Sequence, residues 1–234
     1  MLKLNNFSNS ILKNISLSLE NENLVILGSN GAGKTTLAHL IAGITPNESI
    51  MIDSINPSKV YGNARTKLVN YTPPTLEIFD DFLSVFEFLE LNMLHSNFTI
   101  DTILERFNIV YLKNRACKKL SSGEAQLVLS ASAILHGAKY TILDEPTSNL
   151  DPQKVQMMYH ILKDDSLFNH RIIITHNLNL AYKLGYKIAF IHNKTIEFFG
   201  KSEDFFSDSN LLKTFGSSVK KENDSIMIDL EVAL

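Results

Sequence analysis

The chain has 234 residues, 44% hydrophobic and 20% charged, with a formal net charge of −3. That is enough for one sizeable α/β domain with a subdomain and too little for two large ones. No block of five or six like charges occurs, so a nucleic-acid partner is not favoured, and the single cysteine, Cys117, excludes a disulfide framework or multi-cysteine metal site and fits a reducing cytosolic setting.

Leu2 to Leu4 and Ile15 to Leu19 read as strands, the second with alternating apolar positions. The apolar run Leu24-Val25-Ile26-Leu27 then leads into Gly28-Ser29-Asn30-Gly31-Ala32-Gly33-Lys34-Thr35-Thr36, and a helix-like run follows from Leu37 to Ile44. Strand, glycine loop and helix is the context of a phosphate-binding P-loop. Glycines let successive backbone N–H groups converge on an anion, and the helix start adds its positive dipole end. This spacing predicts Lys34 on the β- and γ-phosphates of a nucleoside triphosphate and the Thr35 hydroxyl on Mg²⁺.

Ile50 to Ile52 and Leu68 to Tyr71 read as short strands, and Pro73-Pro74 breaks the pattern. From about Thr75 to Leu135 the signal is helical. Ser84 with Glu87 forms a capping-box pattern opening Val85 to Leu94, and further helices are predicted over Ile100 to Phe107 and Gly123 to Leu135. Then α/β alternation returns. Strands are predicted at Tyr140 to Leu143, Arg171 to Thr175, Lys187 to His192 and Thr195 to Phe199, and helices at Pro152 to Leu162 and Leu178 to Leu184. The tail carries two short helical patterns and an alternating run, Ser225 to Leu230. The expected organisation is an α/β core over about 1–74 and 136–200, a helical subdomain over about 75–135 and a tail at 201–234. No apolar run approaches the roughly 18 residues of a membrane span, and residues 1–10 lack a signal peptide's apolar core.

Three further motifs carry chemistry. Asp144 and Glu145 close a predicted strand, and adjacent residues there point in different directions. That suits Asp144 to Mg²⁺ and Glu145 to orienting or deprotonating an attacking water. Ser121-Ser122-Gly123-Glu124 opens a helix, where a capping box and a phosphate site are compatible readings. His176 ends another strand, where α/β folds keep their sites.

Together GSNGAGKTT, LSSGE, YTILDEPTSNLD and ITH, in this order, resemble the ATP-binding subunit of ABC transporters over nearly the whole chain. The resemblance implies a P-loop NTPase core with an antiparallel β subdomain and a helical insert, using ATP and Mg²⁺. It implies that Ser121, Ser122, Gly123 and Glu124 form the signature that contacts the γ-phosphate bound to a second copy. Ser148, Asn149, Leu150 and Asp151 would form the D-loop between copies, and His176 would contact the γ-phosphate. Phe7 is a candidate to stack on adenine, with a core aromatic as the other reading. The implied partners are a second copy in a head-to-tail dimer, integral-membrane permease subunits and, indirectly, an extracytoplasmic substrate-binding protein. The implied location is cytoplasmic, on the inner face of the membrane, with the permease received around Tyr71 to Phe82.

The chain departs from the family pattern in three places. Pro74 stands where a glutamine is expected, and proline can neither coordinate Mg²⁺ nor hydrogen-bond a water through its side chain. Glu77 is a candidate to stand in. Ser122 replaces a glycine and Leu127 an arginine, and the expectation is an active but slower ATPase. The run His176-Asn177-Leu178-Asn179-Leu180-Ala181 and the tail segments Gly200 to Phe206 and Asn210 to Gly216 are similar to importers of iron–siderophore, haem and cobalamin. Another importer, an exporter, a soluble cluster-assembly ATPase and a catalytically weakened partner subunit, suggested by Pro74 and Ser122, are the alternatives.

Overall fold

The computed structural model describes residues 1–229. Its centre is a six-stranded sheet in the order β5-β6-β7-β3-β8-β9. The strands are β3 (Leu24–Gly28), β5 (Val69–Thr72), β6 (Tyr140–Asp144), β7 (His170–Thr175), β8 (Lys187–His192) and β9 (Thr195–Gly200). All neighbours are parallel except β8 and β9, which form an antiparallel edge pair. A second, antiparallel sheet in the order β2-β1-β4 joins β1 (Leu2–Phe7), β2 (Ile15–Leu19) and β4 (Ile50–Ile52).

The central strands are apolar on both faces, as parallel strands covered from two sides must be. Alternate side chains therefore feed two cores. Ile26, Ile142, Ile172 and Ile174 pack with the antiparallel sheet and α1 (Lys34–Ile41). Leu27, Leu143 and Ile173 pack on the other side with α3 (Val85–Asn92), α4 (Ile100–Arg106), α5 (Ser122–His136), α6 (Pro152–Lys163) and α7 (Leu178–Leu184). Asp144, two residues beyond Ile142, thus falls on the α1 side of the sheet.

Local signals explain most helix limits. The capping box of Ser84 and Glu87 is formed at α3, and α5 stops at Gly137 in the left-handed region, φ 69°. Helix α1 ends at Ile41 rather than Ile44, because Gly43 turns left-handed at φ 66° and its N–H returns to the Leu40 carbonyl at 3.1 Å. Two elements were not expected. Helix α2 (Gly62–Leu68) claims Leu68, leaving β5 to begin at Val69, and β10 (Val219–Glu222) pairs with β11 (Ser225–Ile228) as a C-terminal hairpin. The tail's helices are α8 (Ser202–Phe205) and α9 (Asp208–Phe215). Of the alternating run, Ser225–Ile228 is strand, and Leu230 lies outside the described residues.

Candidate active site

The C-terminal ends of β3, β6 and β7 lie side by side, the edge where open α/β sheets bind ligands. After β3 the loop Gly28 to Gly33 turns through Gly31 at φ 79° and Gly33 at φ 102°. At Gly33 a Cβ would stand 2.6 Å from the Leu12 side chain, so both conformation and space require glycine. Gly33 is also the N-cap of α1, which points the helix start back at the loop.

Lys34 is only 8% exposed, and its ammonium donates to the carbonyls of Gly28 at 2.8 Å and Ser29 at 3.0 Å. Burial pulls its pKa below the ordinary lysine value, and the charges of Glu145 and Asp144 oppose that. A buried cation bound to neutral carbonyls, with the loop around it, suits an incoming polyanion.

Across the sheet edge, Asp144 Oδ2 accepts from the Thr35 hydroxyl at 2.8 Å and from the Tyr71 phenol at 3.1 Å. Burial first, and then the Asp144 charge, push the Tyr71 phenol well above its ordinary value, so it stays a donor. A hydroxyl and a carboxylate in contact form a hard oxygen donor set of the kind Mg²⁺ takes beside substrate phosphates.

Glu145 is a non-glycine residue at φ 51°, in the sparsely populated left-handed region. Three backbone contacts hold it there. Its N–H donates to the Ile174 carbonyl at 2.8 Å, and its own carbonyl accepts from Ser148 N–H at 3.0 Å and Gln126 Nε2 at 3.4 Å. The turned backbone sends the carboxylate toward the end of β7. There Oε1 lies 2.8 Å from His176 Nδ1, and Oε2 accepts from the Thr175 hydroxyl at 3.2 Å. An ionised carboxylate only accepts, so this contact places the imidazole proton on Nδ1.

The signature residues lie elsewhere. Ser121 is the N-cap of α5, with a complete capping box to Glu124, whose carboxyl also bridges to Arg115 at 3.0 Å. The Ser121 N–H, first among its contacts, holds the Glu124 carboxyl below the ordinary value. Ser122 is exposed, and Gly123 packs so closely that a Cβ would stand 3.0 Å from the Asn149 carbonyl. Among the described residues, no hydrogen bond joins Ser121–Glu124 to the P-loop. Asp151 caps α6 by accepting from Lys154 N–H at 3.0 Å, while the Ser148 hydroxyl is buried without a partner.

Phe7 sits half-buried at the end of β1 against the α1-side core, beyond a register break between Leu4 and Phe7. Pro74 and the exposed Glu77 line a cleft of about 550 Å³ together with Thr35, His39 and Tyr71. Thr36 follows Thr35 in α1, and Ser29, Asn30 and Ala32 complete the loop. Sequence reasoning missed Tyr71 and Thr175. Both reach the site only through strand pairing, Tyr71 by β5 beside β6 and Thr175 by β7 beside β6.

The ABC transporter family profile matches residues 12–148, more than half of the chain and inclusive of the P-loop, signature and Asp-Glu pair. The zinc import ATP-binding protein ZnuC of Buchnera aphidicola subsp. Acyrthosiphon pisum is 35% identical over 176 residues, 74% of this chain and 70% of that protein. The molybdate/tungstate import ATP-binding protein WtpC of Methanocaldococcus jannaschii is 32% identical, with 86% and 70% covered. A solved ATP-binding subunit of an ABC transporter superposes with a TM-score of 0.77 at 21% identity, over 92% of this chain and 93% of that one. A glycine loop around a buried lysine, the adjoining oxygen cluster and this family match converge, and the chain belongs to the ABC transporter family of ATPases.

Proposed function

We propose that the chain is the ATP-hydrolysing subunit of a membrane importer and works as a head-to-tail pair beneath integral-membrane permease subunits. The carrying observation is the Glu145 carboxylate held by His176 and Thr175 at the mouth of the site that Lys34, Thr35 and Asp144 build. Lys34 and the Gly28–Gly33 amides bind the β- and γ-phosphates of ATP. Glu145 accepts a proton from water as the water oxygen bonds to the γ-phosphorus. The bond from that phosphorus to the β,γ-bridging oxygen breaks, giving ADP and phosphate. Thr35 and Asp144 would hold Mg²⁺, which would supply charge neutralisation at the phosphates. His176 orients Glu145 and lies at the γ-phosphate end of the site, and Phe7 offers a surface for adenine. Ser121–Glu124 and the loop from Ser148 to Asp151 serve the nucleotide of a second copy, which is why one chain is half a machine. Among the described residues no helix is long and apolar enough to cross a membrane, so the membrane task falls to partners.

Two relatives are named for zinc and for molybdate/tungstate import, which favours import in general. They do not support the narrower cargo of iron chelate, haem or cobalamin. The sequence features that suggested it have a packing explanation. Asn179 Oδ1 accepts from the Ile226 N–H at 3.1 Å, and Phe205 and Phe206 are buried in the core. Asn179 fastens the tail hairpin to α7, and Phe206 packs edge to face on Tyr182 of the same helix. The test is reconstitution with the permease and an extracytoplasmic binding protein, measuring ATPase stimulation by zinc, molybdate, ferric siderophore, haem and cobalamin in turn. Stimulation by one of them is expected. An active ATPase that co-purifies with no membrane subunit would favour a cluster-assembly role instead.

Pro74 gives a second expected result. An added amide donor beside the metal site is worth about two- to tenfold in rate. Pro74→Gln should raise steady-state turnover by that much over an already active parent. If the parent is inactive and Pro74→Gln restores it, the missing glutamine is disabling rather than slowing.

A further inference from the structure

The cleft beside the metal donors holds a contact that the roles assigned above leave unused. Tyr71 stands opposite Ile142 in the parallel β5–β6 register, so it shares a sheet face with Asp144, two residues farther along. Its hydroxyl donates to Asp144 Oδ2, the same oxygen that accepts from Thr35. The ring is braced in turn. His39 meets Tyr71 edge to face, with centroids 4.8 Å apart at 88°. His39 and Thr35 are one turn apart on α1, so a single helix face grips both the carboxylate and the ring that supports it.

Two donors on one oxygen fix the rotation of the Asp144 carboxyl. Oδ1 is left without a protein hydrogen-bond partner among the described residues. Pro74, which stands at the place of the absent glutamine and lines the same cleft, brings neither a side-chain donor nor a backbone N–H. Glu77 can bring only another acceptor when ionised.

We infer that Tyr71 is a positioning residue of the metal site, holding Asp144 by its Oδ2 so that Oδ1 is left free for the metal's coordination shell. The inference rests on the proposed Thr35–Asp144 metal site and adds to it the group that sets its geometry. Tyr71 acts through Asp144 and does not touch the phosphates. It also ties the metal site to the chain entering Thr72-Pro73-Pro74, so a movement of that loop is felt at Asp144.

The test is Tyr71→Phe in the full chain, which keeps the ring and its contact with His39 and removes only the hydroxyl. Mn²⁺ binding is followed by electron paramagnetic resonance in the presence of a non-hydrolysable ATP analogue, and analogue binding is measured separately in EDTA. A hydrogen bond to a charged group sets the scale, and the Mn²⁺ dissociation constant should rise about tenfold. Affinity for the analogue in EDTA should not change. Unchanged Mn²⁺ affinity overturns the inference. So does an equal weakening of the analogue in EDTA, which would mark Tyr71 as ordinary packing. Thr35→Ala separates the two levels. If it weakens Mn²⁺ binding and Tyr71→Phe does not, only the role of Tyr71 fails. If neither changes Mn²⁺ binding, the metal site itself is misplaced.

Discussion

Lys34→Ala should abolish ATP hydrolysis while leaving the nucleotide-free protein folded. The ammonium is buried, and its partners are two carbonyls of its own loop. Without it, the triphosphate would enter a site whose remaining fixed charges are the carboxylates of Asp144 and Glu145. Removing one partner of a buried, hydrogen-bonded charge pair costs about 3–5 kcal/mol, which corresponds to an ATP affinity lower by roughly 10²- to 10⁴-fold. Turnover should fall further, because the same ammonium follows charge that develops on the γ-phosphate. In the free protein the sign is opposite. Burial depresses the Lys34 pKa, which means that the charged form is disfavoured there and its loss is tolerated. The expected pattern is an unchanged or slightly raised melting temperature without nucleotide, and no upward shift on adding Mg²⁺ and ATP. A variant that still melts higher with ATP, or still turns over, shows that the phosphates bind elsewhere.

Why this lysine was readable and Tyr71 was not is a matter of chain distance. Gly28 to Thr36 is a local object whose strand, turn and helix lie in one stretch, so spacing alone carries its geometry. Asp144 and Glu145 were readable because a P-loop stands upstream; two carboxylates closing a strand are by themselves a common acidic loop. The Tyr71–Asp144 contact spans 73 positions. It exists because β5 and β6 are neighbours in register, which no local pattern reveals. The same holds for Thr175, whose hydroxyl reaches Glu145 only because β7 lies beside β6. Helix α2 was missed for a different reason. Gly62-Asn63-Ala64-Arg65-Thr66-Lys67-Leu68 buries only Leu68, so it has no apolar stripe to betray a helical period. Strand β10 is likewise polar and partly or fully exposed, and it is held by pairing with β11 rather than by a buried face. The signature was legible as a helix start. Its role toward a second copy came from resemblance, because one chain contains no partner for it to touch.

Glu145→Gln should separate binding from chemistry. The substitution keeps size and shape, and the amide can still engage Thr175 and His176, but it cannot take a proton from water. Removing a positioned general base costs about 10²- to 10⁴-fold in rate. Turnover should fall by that amount, with the KM for ATP unchanged or lower, because Lys34, Thr35 and Asp144 remain in place. ATP then persists in the site. In the proposed head-to-tail pair, the closed dimer should accumulate and be visible by light scattering as a doubled mass that needs Mg²⁺ and ATP. The backbone sharpens the expectation. Glu145 sits at φ 51°, fastened by Ile174, Ser148 and Gln126, so the strained turn exists whichever side chain it carries. A loss of function in Glu145→Gln therefore reports on the carboxylate and not on a collapsed turn. A fall of less than about tenfold would mean that Glu145 is not the proton acceptor. His176, the group in contact with it, would then be the next base to replace, and His176→Ala in the Glu145→Gln background would remove the remaining turnover.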